Sequence, residues 1–104
     1  MQNVFSFRDF TQKTEGLNRV ALLIHNPDNE TSRCAFRKLA EAMYLHQTIA
    51  VFIADVSQCT DVHKNFGVIT EPSLLLFEKG KRINTVEGCH ESDYFRTWIN
   101  NDLN

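Results

Sequence analysis

Residues 66–88 constrain the fold of this chain more than any other stretch. An apolar run at residues 74–77 follows Pro72, and a polar turn that contains Gly80 separates it from a second, shorter apolar run. Glycine readily adopts the positive φ of a tight connection, so this pattern predicts a β-hairpin with a four-residue loop at 78–81. The first strand is apolar at consecutive positions and is expected to be covered on both faces. Proline cannot donate to a β-ladder, which places Pro72 at the start of that strand.

Size and charge narrow the classes of function. A chain of 104 residues allows one domain, 1–104, with a single core. The net charge of −2 argues against a general nucleic-acid surface, and no apolar run is long enough to cross a membrane. The first residues do not resemble a signal peptide, so the expected location is the cytoplasm. Three cysteines without regular spacing favour free thiols over a disulfide framework.

The rest of the chain alternates between strands and helices. Buried strands are predicted at 20–24 and 49–54, and a short strand that leads into a helix is plausible within 4–14. Helices are predicted at 32–44, 60–66 and 91–103, with the apolar stripes Phe36, Leu39, Ala40 and Met43 in the first and Tyr94, Phe95, Trp98 and Ile99 in the last. The order β-α-β-α-β-α-β-β-α predicts an α/β domain with a mixed β-sheet between helices.

The segment around the hairpin resembles the C-terminal half of thioredoxins. The match to that family runs without gaps. It consists of an aromatic residue and glycine, a proline before a buried strand, a Lys-Gly turn, and a strand that ends at Gly88. The resemblance covers nearly the whole chain and implies the thioredoxin fold, with a central mixed sheet of four to five strands flanked by helices. It also implies that Pro72 is preceded by a cis peptide bond and faces the redox motif.

The redox motif itself departs from the family pattern. Where thioredoxins have Cys-Gly-Pro-Cys at a helix N-terminus, this chain has Thr31-Ser32-Arg33-Cys34. Thiol–disulfide exchange needs one thiolate to attack and a second to resolve the mixed disulfide, and a threonine hydroxyl does neither at neutral pH. Ordinary dithiol reductase activity is therefore disfavoured. The family's buried acid matches His25, which either bonds locally at the end of its strand or acts as a base.

Cys34 has three interpretations from the sequence. It is either a quiet, small residue of the helix, or a thiolate stabilised by the helix N-terminus and by Arg33. The third arises because Pro27, Thr31 and Cys34 form Pro-x-x-x-Thr-x-x-Cys, which resembles the peroxidatic loop of peroxiredoxins. In that loop the threonine hydroxyl contacts the peroxide, and the thiolate is oxidised to sulfenic acid.

Further candidates lie near the predicted groove. Cys89 follows Gly88 and is either a packing residue or a resolving thiol for Cys34, provided that the two Cα atoms are about 4.4–6.8 Å apart. Glu71 adds a negative charge beside Pro72, where the backbone of the family pairs with an extended peptide. The histidines and cysteines show no metal-binding spacing, so neither a metal site nor a cofactor is predicted.

Two functions follow as hypotheses. The first is a protein-binding module, chaperone-like or adaptor, that docks a client or partner protein at the face formed by Cys34 and Pro72. The second is a single-thiol enzyme or sensor in redox homeostasis, peroxidase-like or glutathione-linked, that works through Cys34. A reductase that pairs Cys34 with Cys89 is a third, smaller option.

Overall fold

The computed structural model describes residues 1–43 and 49–100, which form five strands and four helices. The strands are β1 (Gln2–Val4), β2 (Arg19–His25), β3 (Ala50–Asp55), β4 (Ser73–Glu78) and β5 (Lys81–Glu87). The helices are α1 (Phe7–Thr14), α2 (Glu30–Met43), α3 (Val62–Asn65) and α4 (Ser92–Asn100). This order confirms the predicted α/β class and the predicted alternation of strands and helices.

The strands form one mixed sheet in the order β1-β3-β2-β4-β5. Strands β1, β3 and β2 are parallel, and β4 and β5 are antiparallel to their neighbours. Parallel neighbours need crossover connections, which α1 and α2 provide. The chain after α3 then closes the sheet with the predicted hairpin.

Strand β4 lies between two apolar layers, as its sequence predicts. Leu74 and Leu76 belong to the core beneath α2 and α4, whereas Leu75 and Phe77 belong to the core beneath α1 and α3. Consecutive residues of a strand point to opposite faces, so an unbroken apolar run is what two covered faces require. Burying each such side chain stabilises the fold by about 1.5–3 kcal/mol.

The buried face of α2 differs from the predicted stripe. Leu39 and Met43 are buried as expected, but Ala40 is exposed and Phe36 remains 37% accessible to solvent. The other buried residues of the helix are Ser32, Ala35 and Ala42. Because alanine and serine let the helix approach the sheet closely, the small residues face the core and Phe36 lies at the rim.

The hairpin loop is shorter than predicted. Glu78 and Lys81 pair with each other in the ladder, so the loop consists of two residues, Lys79 and Gly80. Both have positive φ, 52° and 80°, as a two-residue type I′ turn requires. The backbone N–H of Lys79 donates to the carbonyl oxygen of Asn18 over 2.7 Å, which ties this turn to the α1–β2 connection.

Several predicted boundaries also change. Helix α3 spans only Val62–Asn65, and α4 begins at Ser92. Tyr94 is not on the buried side of α4: it is 45% exposed and stacks on the ring of His90. The predicted helix ends at residues 44 and 101–103 lie outside the described residues. Within the described ranges, no helix is long and apolar enough to cross a membrane.

Candidate functional site

One edge of the sheet gathers the ends of four strands. His25 ends β2 in register with Asp55 of β3, and the preceding residue of β2 pairs with Ser73, the first residue of β4. Ser73 in turn pairs with Glu87, the last residue of β5. Helix α2 begins a few residues after β2, at the same edge. Most of the residues singled out from the sequence therefore lie along this edge.

A disulfide bond between Cys34 and Cys89 lies at this edge. The two cysteines are 55 positions apart in the sequence, and their Cα atoms are 5.7 Å apart, within the range that a disulfide allows. Both residues are half-buried, and Cys89 packs against the apolar core beneath α2 and α4. The second sulfur that the Thr31-x-x-Cys34 spacing lacks is thus supplied from the segment between β5 and α4.

Cys34 lies deeper in α2 than the sequence predicted. The helix begins at Glu30 rather than near Ser32, and the side chain of Asn29 caps it by accepting a hydrogen bond from the backbone N–H of Ser32 over 3.0 Å. Cys34 is therefore the fifth helical residue. Thr31 is exposed one turn before it. Because the effect of the helix dipole fades within the first turn, the helix end favours a thiolate at Cys34 less than we predicted.

The loop before α2 holds the neighbouring polar groups in place. The side chain of Arg33 donates to the carbonyl oxygen of Pro27 over 2.7 Å, so its guanidinium group folds back onto the loop. The backbone N–H of Asn26 donates to the Ser32 hydroxyl over 3.2 Å, and its side-chain amide donates to the carboxylate of Glu71 over 3.3 Å. Asn26 thus connects α2 to the residue that precedes Pro72.

Pro72 and Gly88 place the disulfide beside the start of β4. The Glu71–Pro72 peptide bond is cis, Pro72 is buried, and the backbone N–H of Gly88 donates to the Pro72 carbonyl oxygen over 3.0 Å. Gly88 has φ +87°, a conformation in which other residues are strained. Cys89 follows directly, so this turn sets the direction in which its side chain leaves the sheet.

His25 is a buried histidine at the same edge. Its side chain is 9% exposed, its ring lies 5.2 Å from that of Phe36, and its Nδ1 atom has no hydrogen-bond partner among the described residues. Burial lowers the pKa of His25 below its usual value of 6.5, while Asp55 and a hydrogen bond to the backbone of Ser32 oppose this and Arg33 adds to it. The neutral imidazole is therefore favoured in the folded protein.

This pKa shift predicts a pH dependence of stability. Below about pH 6.5 the unfolded chain protonates His25 while the folded chain resists protonation, so the free energy of unfolding should fall as the pH is lowered. Above that pH both states are neutral and the effect disappears. In a His25→Phe variant, this part of the fall in the free energy of unfolding at low pH should be absent. Urea unfolding between pH 5 and pH 8 measures it.

An Asp55→Asn variant provides the matched control, because Asp55 raises the pKa of His25. Its removal should lower that pKa further in an NMR titration of the imidazole. A His25 titration at or above pH 6.5 in the wild-type protein would contradict the prediction.

The third cysteine, Cys59, and a further histidine, His90, have different surroundings from the disulfide. Cys59 is a free, buried cysteine in the core beneath α1 and α3, where burial raises the pKa of its thiol. His90 follows Cys89, and its Nε2 atom is 2.8 Å from the carbonyl oxygen of Glu87. His46 lies outside the described residues, and among those described no group of three side chains is arranged to hold a metal ion.

Sequence reasoning overlooked two polar residues that organise the site, Asn26 and Ser32. Both fall in a stretch rich in loop and cap formers, and that composition is the signal that could have identified them. The assembled edge combines a disulfide, a buried neutral imidazole and a cis-proline backbone. Chemically, a dithiol and disulfide pair at such a site can exchange with other disulfides.

The sequence comparisons return no relatives: no protein-family model matches the chain, and no curated protein matches it. The structure is similar to solved proteins. A thioredoxin of Malassezia sympodialis is 19% identical, with a TM-score of 0.79 over 90% of this chain and 84% of that one. A thioredoxin of Fasciola hepatica is 14% identical, with a TM-score of 0.84 over 93% of this chain and 95% of that one.

A third similar structure comes from a study of the thiol resolving mechanism in a yeast mitochondrial 1-Cys peroxiredoxin via glutathione and thioredoxin systems. It is 14% identical, with a TM-score of 0.86 over 97% of this chain and 94% of that one. At identities this low the similarity concerns the arrangement of helices and strands. Together with the sheet order and the cis-proline edge, it shows that the chain has the thioredoxin fold.

Proposed function

We propose that this chain is a thiol–disulfide exchange protein whose redox couple is Cys34 and Cys89. The observation that carries the proposal is the bond between these residues at the Pro72 edge of the sheet. A reductase with this pair was the smallest option from the sequence. It becomes the leading one because a second sulfur adjoins Cys34, as the chemistry of exchange requires.

In the reduced protein, the Cys34 thiolate attacks a disulfide of the partner protein. A mixed disulfide forms and one partner thiolate leaves. Cys89 then attacks the sulfur of Cys34, which forms the Cys34–Cys89 bond and releases the second partner thiolate. Two electrons pass from this chain to the partner, and the two thiol protons pass to the departing thiolates, directly or through solvent. Reduction by a small thiol or a thiol protein returns the chain to its starting state.

The roles of the two sulfurs follow from their surroundings. Cys89 packs against the apolar core, whereas Cys34 lies on a helix turn whose residues Thr31 and Arg33 are exposed. Cys34 is therefore the sulfur that meets the partner, and Cys89 is the one that resolves. Peptide docking would use the backbone beside Pro72, with Glu71 and Gly88 bordering the groove.

A redox titration tests this proposal. The protein is equilibrated in glutathione buffers of defined potential, and its free thiols are counted by alkylation and mass spectrometry. We expect a reversible two-electron transition at about −120 to −270 mV, the range of redox-active pairs. Insulin reduction with dithiothreitol should then depend on both Cys34 and Cys89, whereas a Cys59→Ala variant should keep the activity.

The second candidate is the partner-binding module. It is favoured by the span of the disulfide, because a bond that closes a long loop can serve to hold the fold together. In that case the couple should have a potential below about −300 mV, as structural disulfides do, and insulin turnover should be absent. The single-thiol peroxidase or sensor is the weakest of the three, since it would require Cys34 to act without its bonded neighbour. The cytoplasmic location remains part of the proposal.

A further inference from the structure

A second concave site lies at the opposite end of the sheet from the disulfide. It is a half-open cavity of about 740 Å³ between the end of α1 and the β4–β5 turn. Along β2, Ile24, at the disulfide edge, is four positions from Val20, which lines the cavity. At about 3.3 Å per residue this places the two sites roughly 13 Å apart along the strand.

The floor of the cavity is aromatic. Phe7, Phe10, Phe66 and Phe77 all line it, and their rings contact one another. The Phe66 and Phe77 centroids are 5.1 Å apart, and the Phe10 and Phe77 centroids are 5.5 Å apart. A volume of this size is typical of sites for small organic molecules, whose apolar bodies gain from leaving water.

One lysine and one glutamate are among the residues that line the cavity, and an arginine lies beside its aromatic floor. Lys79 lines it from the hairpin turn, and no ion pair engages its ammonium group within the described residues. The guanidinium group of Arg82 lies 6.0 Å from the centroid of the Phe66 ring. Glu15, at the end of α1, is the one carboxylate among the lining residues that the structure describes. An aromatic floor with this lysine at its rim, and Arg82 beside one of its rings, is complementary to an apolar body with a single negative group.

The backbone holds Lys79 at the rim. Its φ of 52° is a conformation that asparagine and glycine adopt more easily than lysine, and its N–H is bonded to Asn18, which also lines the cavity. A Lys79→Asn change therefore removes the charge while keeping a residue suited to the turn. A change in ligand binding by this variant would therefore report the loss of the charge and not a distortion of the turn.

We infer that this cavity binds a small organic anion, an aromatic or aliphatic body with a single negative group, through the phenylalanine floor and Lys79. The inference does not depend on the redox function. The cavity belongs to the α1/α3 side of the sheet, whereas the disulfide adjoins the α2/α4 side. A failed redox titration would leave it standing, and a failed binding experiment would not affect disulfide exchange.

The test uses two fluorescent probes with nearly the same rings. The anion 8-anilinonaphthalene-1-sulfonate should bind the oxidised wild-type protein saturably, with one site. Lys79→Asn should weaken its binding by a factor of roughly 1.4 to 5, the range of one exposed charge interaction, and Lys79→Arg should preserve it. Glu15→Gln should tighten binding. The neutral probe N-phenyl-1-naphthylamine should bind Lys79→Asn and wild type equally.

A control variant and a map of the site complete the experiment. Lys38→Asn removes a lysine from α2, on the other face of the sheet, and should leave both probes unaffected. NMR shift changes on adding the anion should concentrate at the amides of Phe66, Phe77 and Gly80. Lack of saturable binding, equal affinity of Lys79→Asn and wild type for the anion, or shift changes centred on Cys34 would each overturn the inference.

Discussion

Reduction of the Cys34–Cys89 bond should lower the free energy of unfolding by about 2–4 kcal/mol. The bond joins residues 55 positions apart, so it restricts the unfolded chain strongly. The chain-entropy model gives roughly 4 kcal/mol for a loop of this length, and strain or residual structure usually reduces the measured value. Urea unfolding of the oxidised and reduced wild-type protein, followed by Trp98 fluorescence, measures the difference.

The double variant Cys34→Ser/Cys89→Ser is the control for this measurement. It should unfold close to the reduced wild type, and dithiothreitol should not change its midpoint. If the oxidised and reduced wild-type proteins unfold at the same urea concentration, the bond contributes nothing to the fold. In that case the linkage between folding and redox state described below does not hold.

The second large effect should appear when the resolving sulfur is removed. A Cys89→Ser variant should accumulate a mixed disulfide with a small disulfide such as oxidised glutathione, because Cys34 can still attack but no neighbouring thiol can displace the product. Wild-type protein should pass through this species too quickly to accumulate it. Intact-protein mass spectrometry after an acid quench would count the adducts.

The matched variant Cys34→Ser separates the two sulfurs. If Cys34 is the sulfur that meets the partner, this variant should form the adduct many times more slowly than Cys89→Ser. Equal rates of adduct formation by the two variants would contradict the assigned roles. Reaction confined to Cys34→Ser would reverse them, with Cys89 as the attacking sulfur.

The two predictions are linked through thermodynamics. Any free energy that the bond adds to folding also makes the bond harder to reduce in the folded chain than in the unfolded chain, by about 30 mV for each 1.4 kcal/mol. A contribution of about 2–4 kcal/mol corresponds to roughly 40–90 mV. The redox titration and the unfolding experiment therefore check one another.

Local features of the sequence predicted the fold well. The hairpin after Pro72 was recognisable because its strand, turn and glycine lie within one short segment, and the apolar run in β4 required two covered faces. The errors have physical reasons. A two-residue turn with Lys79 at positive φ is unusual, since asparagine or glycine normally occupies that place. The buried face of α2 was misjudged because alanines, rather than Phe36, approach the sheet.

The site was harder to predict than the fold. Cys34 and Cys89 come together only because β4 and β5 follow β2 across the sheet and Gly88 turns the chain back toward α2. That contact depends on strand order and register, which no local pattern of residues contains. The position of Cys34 within α2 was also missed, because Asn29 caps the helix and starts it at Glu30, two residues before the predicted start.

Cys59, the third cysteine, lies in a different layer of the fold from the disulfide, and this position affects oxidative folding. Cys59 emerges from the ribosome before Cys89, so Cys34 meets it first as a possible partner. In the finished domain Cys59 lies in the core beneath α1 and α3, and the sheet separates it from Cys34. A bond between Cys34 and Cys59 would draw Cys59 out of the core beneath α1 and α3, so a chain joined in that way lacks part of the native packing. Native packing thus favours the chain in which Cys34 is bonded to Cys89 and Cys59 is a free thiol.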